Sequence, residues 1–127
     1  MNLKDSKIFV DSSVWLEILD GSAKGQKARD FLIPREILTS SISVAEVERV
    51  LIRNNMASKL DFVRTIMEGC IVDVGSGIAR KAAALSVEKK LGLADALIAA
   101  SSESERATLY SCDPDFEDKG LNAIILE

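Results

Sequence analysis

Carboxylate side chains occur at four points of the sequence where a strand or a helix is predicted to begin or end. Asp11 follows an apolar run in FVDSSVW, and Asp113 follows another in LYSCDPDF. Glu46 and Asp95 lie near the start of two predicted helices, in SISVAEV and LGLADALIAA. An aspartate among Ala, Leu and Ile loses hydration that is costly to replace. Carboxylate oxygens are also the ligands that hard divalent cations prefer, so these acids are candidates for a metal site.

Each acid also has a purely structural explanation when it is considered alone. Ser43 and Glu46 match a capping box, in which an N-cap serine faces a glutamate three residues later. Asp95 is typical of an N-cap or of a first-turn acid that faces the helix dipole. Asp113 before Pro114 is typical of the start of a type I turn. Position alone therefore leaves a structural and a chemical interpretation open for every one of them.

The composition excludes several kinds of hydrolytic site. The chain has 127 residues and no histidine, which removes Ser-His-Asp and Cys-His catalysis, His-containing zinc sites and an imidazole base. Any hydrolysis must rest on carboxylates and a hard metal ion. The formal net charge of −4 argues against binding of nucleic acid by the whole surface. It leaves room for a local basic patch beside an acidic cleft.

Apolar runs and helical spacings alternate along the sequence. Short apolar runs predict strands at KIFV, EILTS, CIVDV, TLYSC and NAIIL, and apolar residues at three- and four-residue steps predict the helices between them. The long helix that precedes Gly92 is predicted to end at that glycine. Strands separated by helices imply an α/β fold whose mostly parallel sheet of about five strands has helices on both faces. Ligands of such sheets bind beyond the carboxyl ends of the strands, where Asp11 and Asp113 are expected.

The length predicts one domain over residues 1–127. No apolar run is long enough to span a bilayer, and the first residues lack the features of a signal peptide, so we expect a cytoplasmic protein. Cys70 and Cys112 are too few for a disulfide framework and indicate small buried side chains. VGSGIAR partly matches a dinucleotide-binding turn, but Arg80 stands where the third glycine belongs, so a turn before a helix explains it better.

Four motifs taken together resemble one known family, the PIN domains, and in particular the VapC ribonuclease toxins. The resemblance is carried by FVDSSVW, SISVAEV, LGLADALIAA and LYSCDPDF, which occur in the family's order, and it covers essentially the full chain. It implies a PIN-like three-layer α/β/α fold. It also implies an endoribonuclease that cuts single-stranded RNA with Mg²⁺ or Mn²⁺ as cofactor, leaving a 5′-phosphate and a 3′-hydroxyl.

The resemblance assigns roles to side chains in each motif. The expected catalytic residues are the acids Asp11, Glu46, Asp95 and Asp113, of which the three aspartates are expected to bind the metal and the glutamate to complete the site. Two hydroxyls and one further acid are expected to support them: Ser13, Ser111 and Asp115. For Asp115 a role as a turn residue stays open beside the supporting one, because the family's final motif varies at this point.

The VapC resemblance also implies partners. The expected protein is the toxin of a VapBC-type toxin–antitoxin pair, a homodimer that a small antitoxin silences by laying a helix in a groove and reaching the acids with a basic side chain. We expect the helices between Ser43 and Gly69 to form a wall of that groove. Two other interpretations stay open, namely a housekeeping PIN nuclease that processes RNA and a PIN-fold protein that binds RNA or a partner without cutting.

Arg49 and Arg53 lie one helical turn apart in EVERVLIRNN. They are candidates for contacts with RNA phosphates, and the alternative is a solvated helix face. Trp15 and Tyr110 have the chemistry to stack on bases, but both lie beside predicted strands, which favours a place in the core.

Overall fold

A computed structural model describes residues 7–127 of the protein. Five parallel strands form one sheet in the order β3-β2-β1-β4-β5. The strands are β1 (Lys7–Val10), β2 (Glu36–Ser40), β3 (Ile71–Val72), β4 (Thr108–Ser111) and β5 (Ala123–Ile125). The strands β2 and β3 lie on one side of β1, and β4 and β5 lie on the other. The strand order therefore switches between β1 and β4. Ligand sites of open α/β sheets lie at the carboxyl ends of the strands at such a point.

Within the described residues, six α-helices connect the strands. They are α1 (Ser12–Asp20), α2 (Ala23–Leu32), α3 (Ser41–Arg53), α4 (Leu60–Met67), α5 (Ser76–Lys89) and α6 (Leu93–Ser104). Short 3-10 turns lie before α4 and after β4, at Ala57–Lys59 and Pro114–Phe116.

Alternate residues of β1 face opposite sides of the sheet, as the strand geometry requires. Ile8 and Val10 pack into a core that contains residues of α1, α2, α3 and α4. Phe9 packs into a second core formed mainly by α5 and α6. All three side chains are fully buried. The predicted three-layer α/β/α architecture is confirmed.

The start of α3 differs from the prediction. The N-cap is Ser40, whose hydroxyl accepts a hydrogen bond from the backbone N–H of Ile42 at 3.0 Å. The predicted capping box of Ser43 and Glu46 is therefore wrong. Because β2 runs directly into α3, the last strand residue, Ser40, is the N-cap. Ser43 is instead fully buried within the helix, and Glu46 lies in the second turn rather than the first.

The end of α5 also differs from the prediction. Lys90 adopts the left-handed conformation, with φ of 56°, and its N–H bonds the carbonyl of Ser86. Gly92 has φ of −58° and is the N-cap residue of α6. The glycine therefore starts the next helix, and a lysine closes the preceding one.

The aromatic side chains of Trp15 and Tyr110 belong to the core. Trp15 is buried and donates its indole N–H to Thr39 Oγ1 at 3.0 Å, and that hydroxyl donates to the carbonyl of Val10 at 2.8 Å. Tyr110 is buried with its ring 4.8 Å from that of Phe31. The first network joins α1 and β2 to the end of β1, which fixes the strand end that precedes Asp11.

Cys70 and Cys112 are half-buried and form no disulfide. Across residues 7–127, no helix combines the length and the apolar character that crossing a membrane requires.

Candidate active site

Asp11 lies at the carboxyl end of the central strand and is buried. It occupies the N-cap position of α1, but its side chain accepts no capping hydrogen bond. Its Oδ2 atom instead accepts hydrogen bonds from the hydroxyls of Ser13 at 3.0 Å and Ser111 at 2.7 Å. The carboxylate therefore does not cap the helix, and two serines from different elements orient it.

The two serines are themselves held in place. Ser13 Oγ accepts the backbone N–H of Cys112 at 2.9 Å, and Ser111 Oγ accepts that of Asp113 at 3.0 Å. The two hydroxyls lie 3.3 Å apart. Because each oxygen accepts a backbone N–H, its proton is directed toward Asp11 Oδ2. This network fastens the end of β4 to the start of α1 around one carboxylate.

Three further acids approach one another beside this network. Carboxylate oxygens of Asp95, Asp113 and Asp115 lie within 4.8 Å of one another. Asp95 is in the first turn of α6, and Asp113 follows β4. Asp113 Oδ1 accepts the backbone N–H of Asp115 at 2.9 Å. The turn-forming role predicted for Asp113 is thus present together with its approach to the other acids.

Glu46 reaches the same region from α3. Burial raises the pKa of its carboxyl group, the charge of Asp11 raises it further, and a hydrogen bond with the side chain of Ser12 lowers it. Ser12 was not among the predicted site residues, although VDSS places two hydroxyls directly after Asp11.

The pKa of Asp95 shows how closely the acids are grouped. Burial and the charges of four other carboxylates together raise it from the ordinary value of 3.8 to about 6, and burial is the largest cause. In order of size, these are Asp113, Asp11, Glu46 and Asp115. We call the five residues the acidic cluster: Asp11, Glu46, Asp95, Asp113 and Asp115.

The acidic cluster lacks a balancing positive charge within the described chain. None of the ion pairs found among residues 7–127 includes one of its five members. Unpaired carboxylates repel one another strongly where solvent is partly excluded. A set of oxygen donors without nitrogen or sulfur suits Mg²⁺ or Mn²⁺.

Comparison with known proteins identifies the family. The profile described as PIN domain matches residues 8–121, which include every member of the acidic cluster. The chain belongs to the PIN domain family. No curated protein sequence matches the chain significantly. The match confirms the resemblance drawn from the four motifs, whereas the limits of a single domain over residues 1–127 stay a prediction.

Solved structures share this PIN fold. A toxin–antitoxin complex from Klebsiella pneumoniae is 21% identical, with a TM-score of 0.82 over 94% of this chain and 98% of the other. FitAcB from Neisseria gonorrhoeae is 21% identical, with a TM-score of 0.79 over 92% and 96% of the two chains. VapC20 from Mycobacterium tuberculosis, a sarcin-ricin loop cleaving toxin, is 21% identical, with a TM-score of 0.69 over 90% and 95%. At this identity the comparison establishes the fold.

The two arginines that were predicted to contact RNA lie on α3 of this PIN domain, beyond Glu46. Residues at positions 46, 49 and 53 of one helix lie on one face. Arg49 and Arg53 are exposed, and no ion pair within residues 7–127 includes either of them. Their guanidinium groups are therefore available to an anionic ligand close to Glu46.

Proposed function

We propose that this PIN domain is a metal-dependent endoribonuclease that cleaves single-stranded RNA. The observation that carries the proposal is the convergence of five carboxylates from separate parts of the chain, four of which raise the pKa of the fifth. Such crowding is costly for a folded protein unless a cation is bound. A phosphodiester hydrolase without histidine needs this kind of site.

Asp11, Asp95 and Asp113 are the residues that would hold the metal. All three offer carboxylate oxygens, and a bound divalent cation would acidify a water molecule and stabilise charge on the phosphodiester. Asp115 adds a carboxylate near Asp95 and Asp113, which favours its supporting role over that of a simple turn residue.

The remaining residues orient the acids and handle the proton. Ser13 and Ser111 fix the direction of the Asp11 carboxylate through its Oδ2 atom. The raised pKa of Glu46 makes this group a stronger base than an exposed glutamate. It is suited to accept a proton from the attacking water. Ser12 holds Glu46 in place.

We further propose that the protein is the toxin of a toxin–antitoxin pair and forms a homodimer. The support is the similarity to a toxin–antitoxin complex and to a loop-cleaving toxin. RNA would follow the face of α3 that carries Arg49 and Arg53, because free guanidinium groups bind phosphates well.

An apolar groove offers a place for the antitoxin helix. It has a volume of about 200 Å³ and is lined by Trp15, Ile18, Arg29, Leu32, Ile33, Ile37, Phe62 and Ile66. Of the predicted helix pair, α4 lines this groove and α3 does not. Phe62 is 59% exposed and Ile33 is 71% exposed, so a helix with an apolar face would cover them.

Cleavage of a pool of single-stranded RNA in the presence of Mn²⁺ tests the proposal. The wild type is compared with Asp95→Asn and with Asp30→Asn, which changes an exposed acid of α2 outside the cluster. We expect the wild type and Asp30→Asn to cut, and Asp95→Asn to lose at least about a hundredfold in rate, since it removes a carboxylate of the site. Equal cleavage by all three proteins, or no cleavage by the wild type with either Mn²⁺ or Mg²⁺, would rule out the proposed nuclease activity.

A further inference from the structure

Three lysines belong to two segments that touch each other, the turn after α5 and the loop before β5. Lys119 donates a hydrogen bond from Nζ to the carbonyl oxygen of Lys90 at 3.2 Å. Lys89 Nζ lies 3.2 Å from the position that a β-carbon on Gly120 would take. We call Lys89, Lys90 and Lys119 the lysine cluster.

The backbone that carries these lysines is firmly held. The N–H of Leu91 bonds the carbonyl of Ser86 at 3.2 Å, and the Ser86 hydroxyl donates to the carbonyl of Leu91 at 2.7 Å. Lys90 has φ of 56°, a conformation that a lysine adopts at a cost and that glycine adopts freely. The chain therefore accepts backbone strain at a position where the side chain adds a positive charge.

The positive charge of the lysine cluster is poorly balanced. Lys89 has one carboxylate neighbour, Glu88, at 3.9 Å. Among residues 7–127, Lys90 and Lys119 form no ion pair, although Glu117 and Asp118 lie in the same loop as Lys119. Three ammonium groups on adjoining segments repel one another, and an anion bound between them would relieve that repulsion.

The lysine cluster is close to the acidic cluster along the chain. Lys90 is five residues from Asp95, and Lys119 is four residues from Asp115. An extended chain spans at most about 3.6 Å per residue, so these separations are below roughly 18 Å and 14 Å. The arginines of α3 follow β2, whereas the lysines flank the β4–β5 side of the sheet. The acids at the ends of β1 and β4 therefore have a basic group on either side.

We propose that the lysine cluster binds a backbone phosphate of the RNA on the opposite side of the scissile bond from Arg49 and Arg53. The inference rests on the proposed nuclease function and adds to it the direction in which the strand crosses the site. The substrate is then a single strand that extends beyond the acidic cluster on both sides. Binding energy comes from phosphates at both ends of this path.

The RNA affinity of a cleavage-deficient variant tests the proposal separately from the nuclease activity. Fluorescence anisotropy with a labelled single-stranded RNA of about twelve nucleotides is measured for full-length Asp95→Asn, with and without further substitutions. Replacing all three lysines by glutamine is expected to weaken binding about tenfold. The slope of log affinity against log salt should fall by about 0.7, the contribution of one phosphate contact on a single strand.

A matched control removes the same charge from the opposite edge of the sheet. The control residues are Lys7 at the start of β1, Lys81, which pairs with Glu103 near the end of α6, and Arg106 just before β4. Replacing these three by glutamine should change affinity less than twofold. Equal losses for the two triple variants, or unchanged affinity and salt slope for the lysine variant, would overturn the proposal.

Substitution of Lys90 alone guards against a loss that is due to misfolding. Lys90→Gly removes the charge and suits the left-handed backbone, so its Tm should be no lower than that of the parent. It should weaken RNA binding about threefold, whereas Lys90→Arg should keep the affinity. RNA binding by Lys90→Gly that equals the parent contradicts the proposal. Cleavage by the wild type in the same preparations reports separately on the nuclease function.

Discussion

Asp95 lies where an ionised carboxylate is disfavoured by burial and by four other acids. Its pKa of about 6 in the folded protein exceeds the ordinary value of 3.8, so the folded state binds the proton more tightly than the unfolded state. The resulting stabilisation is complete below pH 3.8 and is lost as the pH rises through about 6. At neutral pH without metal, the ionised Asp95 therefore reduces the stability of the fold.

Asp95→Asn should consequently stabilise the metal-free protein at pH 7.5. After allowance for solvent screening of this half-buried group, we expect a gain of about 1 kcal/mol and a rise in Tm of roughly 4 °C. Thermal unfolding in EDTA measures it, with Asp30→Asn as the control that should not shift. The difference should shrink at pH 4, where the wild-type carboxyl is largely protonated. A lower Tm for Asp95→Asn at pH 7.5 would contradict the clustering.

Ser111 is expected to matter for activity beyond its contribution to stability. Ser111→Ala removes the donor to Asp11 and the acceptor of the Asp113 N–H, both buried or half-buried, at a cost of about 1–3 kcal/mol. Ser102→Ala removes another buried hydroxyl, which donates to the carbonyl of Ala107 at 3.3 Å at the far end of α6. Both variants should melt earlier, but only Ser111→Ala should lose RNA cleavage at a temperature where both are folded. Equal specific activities would show that Ser111 is merely structural.

At the scale of the elements, α1 and α2 pack closely because one residue has no side chain. A β-carbon at Gly25 would lie 2.0 Å from the carbonyl oxygen of Glu17 in α1. Gly25→Ala should therefore force the helices apart and destabilise the protein by at least about 2 kcal/mol. Gly77→Ala is the matched control in α5, where nothing lies within 4 Å, and it should stabilise by up to about 1 kcal/mol. Urea denaturation measures both, and equal effects of the two substitutions would argue against this packing.

The sequence predicted the type and order of the elements, and it was less reliable at their ends. Apolar runs and helical periodicity report burial, which the layers impose directly, so the sheet and its helices could be anticipated. SSISVAE offers several serines as the N-cap of α3, and only the register of β2 selects Ser40. Gly92 is a common helix terminator, yet a lysine closes α5 because hydrogen bonds around Ser86 hold its backbone.

The candidate site could be predicted as a set of residue types, whereas its geometry could not. Asp11 and Asp113 were expected near one another because strand ends meet at a sheet edge, whereas Asp95 was assigned to the site by the family resemblance. Nothing local places Glu46 in the second turn of α3 opposite Asp11, because that depends on how α3 packs across the sheet. The bond between Ser12 and Glu46 depends on the same packing.

For the whole molecule, the acidic cluster dominates the charge distribution. Its five carboxylates exceed the formal net charge of −4, so the remainder of the protein is close to neutral. Neutralising the cluster with a cation would remove most of the repulsion toward RNA, and the basic residues of α3 and the lysine cluster could then act at short range. Metal binding is thus expected to precede RNA binding at the site.

Titration calorimetry of the metal-free protein with Mn²⁺ tests most directly whether the acidic cluster is a cation site. The wild type and Asp30→Asn should bind the ion equally well. Asp11→Asn and Asp95→Asn should each bind it about tenfold more weakly or worse, because each lacks one oxygen ligand of the site. Wild-type protein that binds no Mn²⁺, or four proteins with the same affinity, would contradict the account.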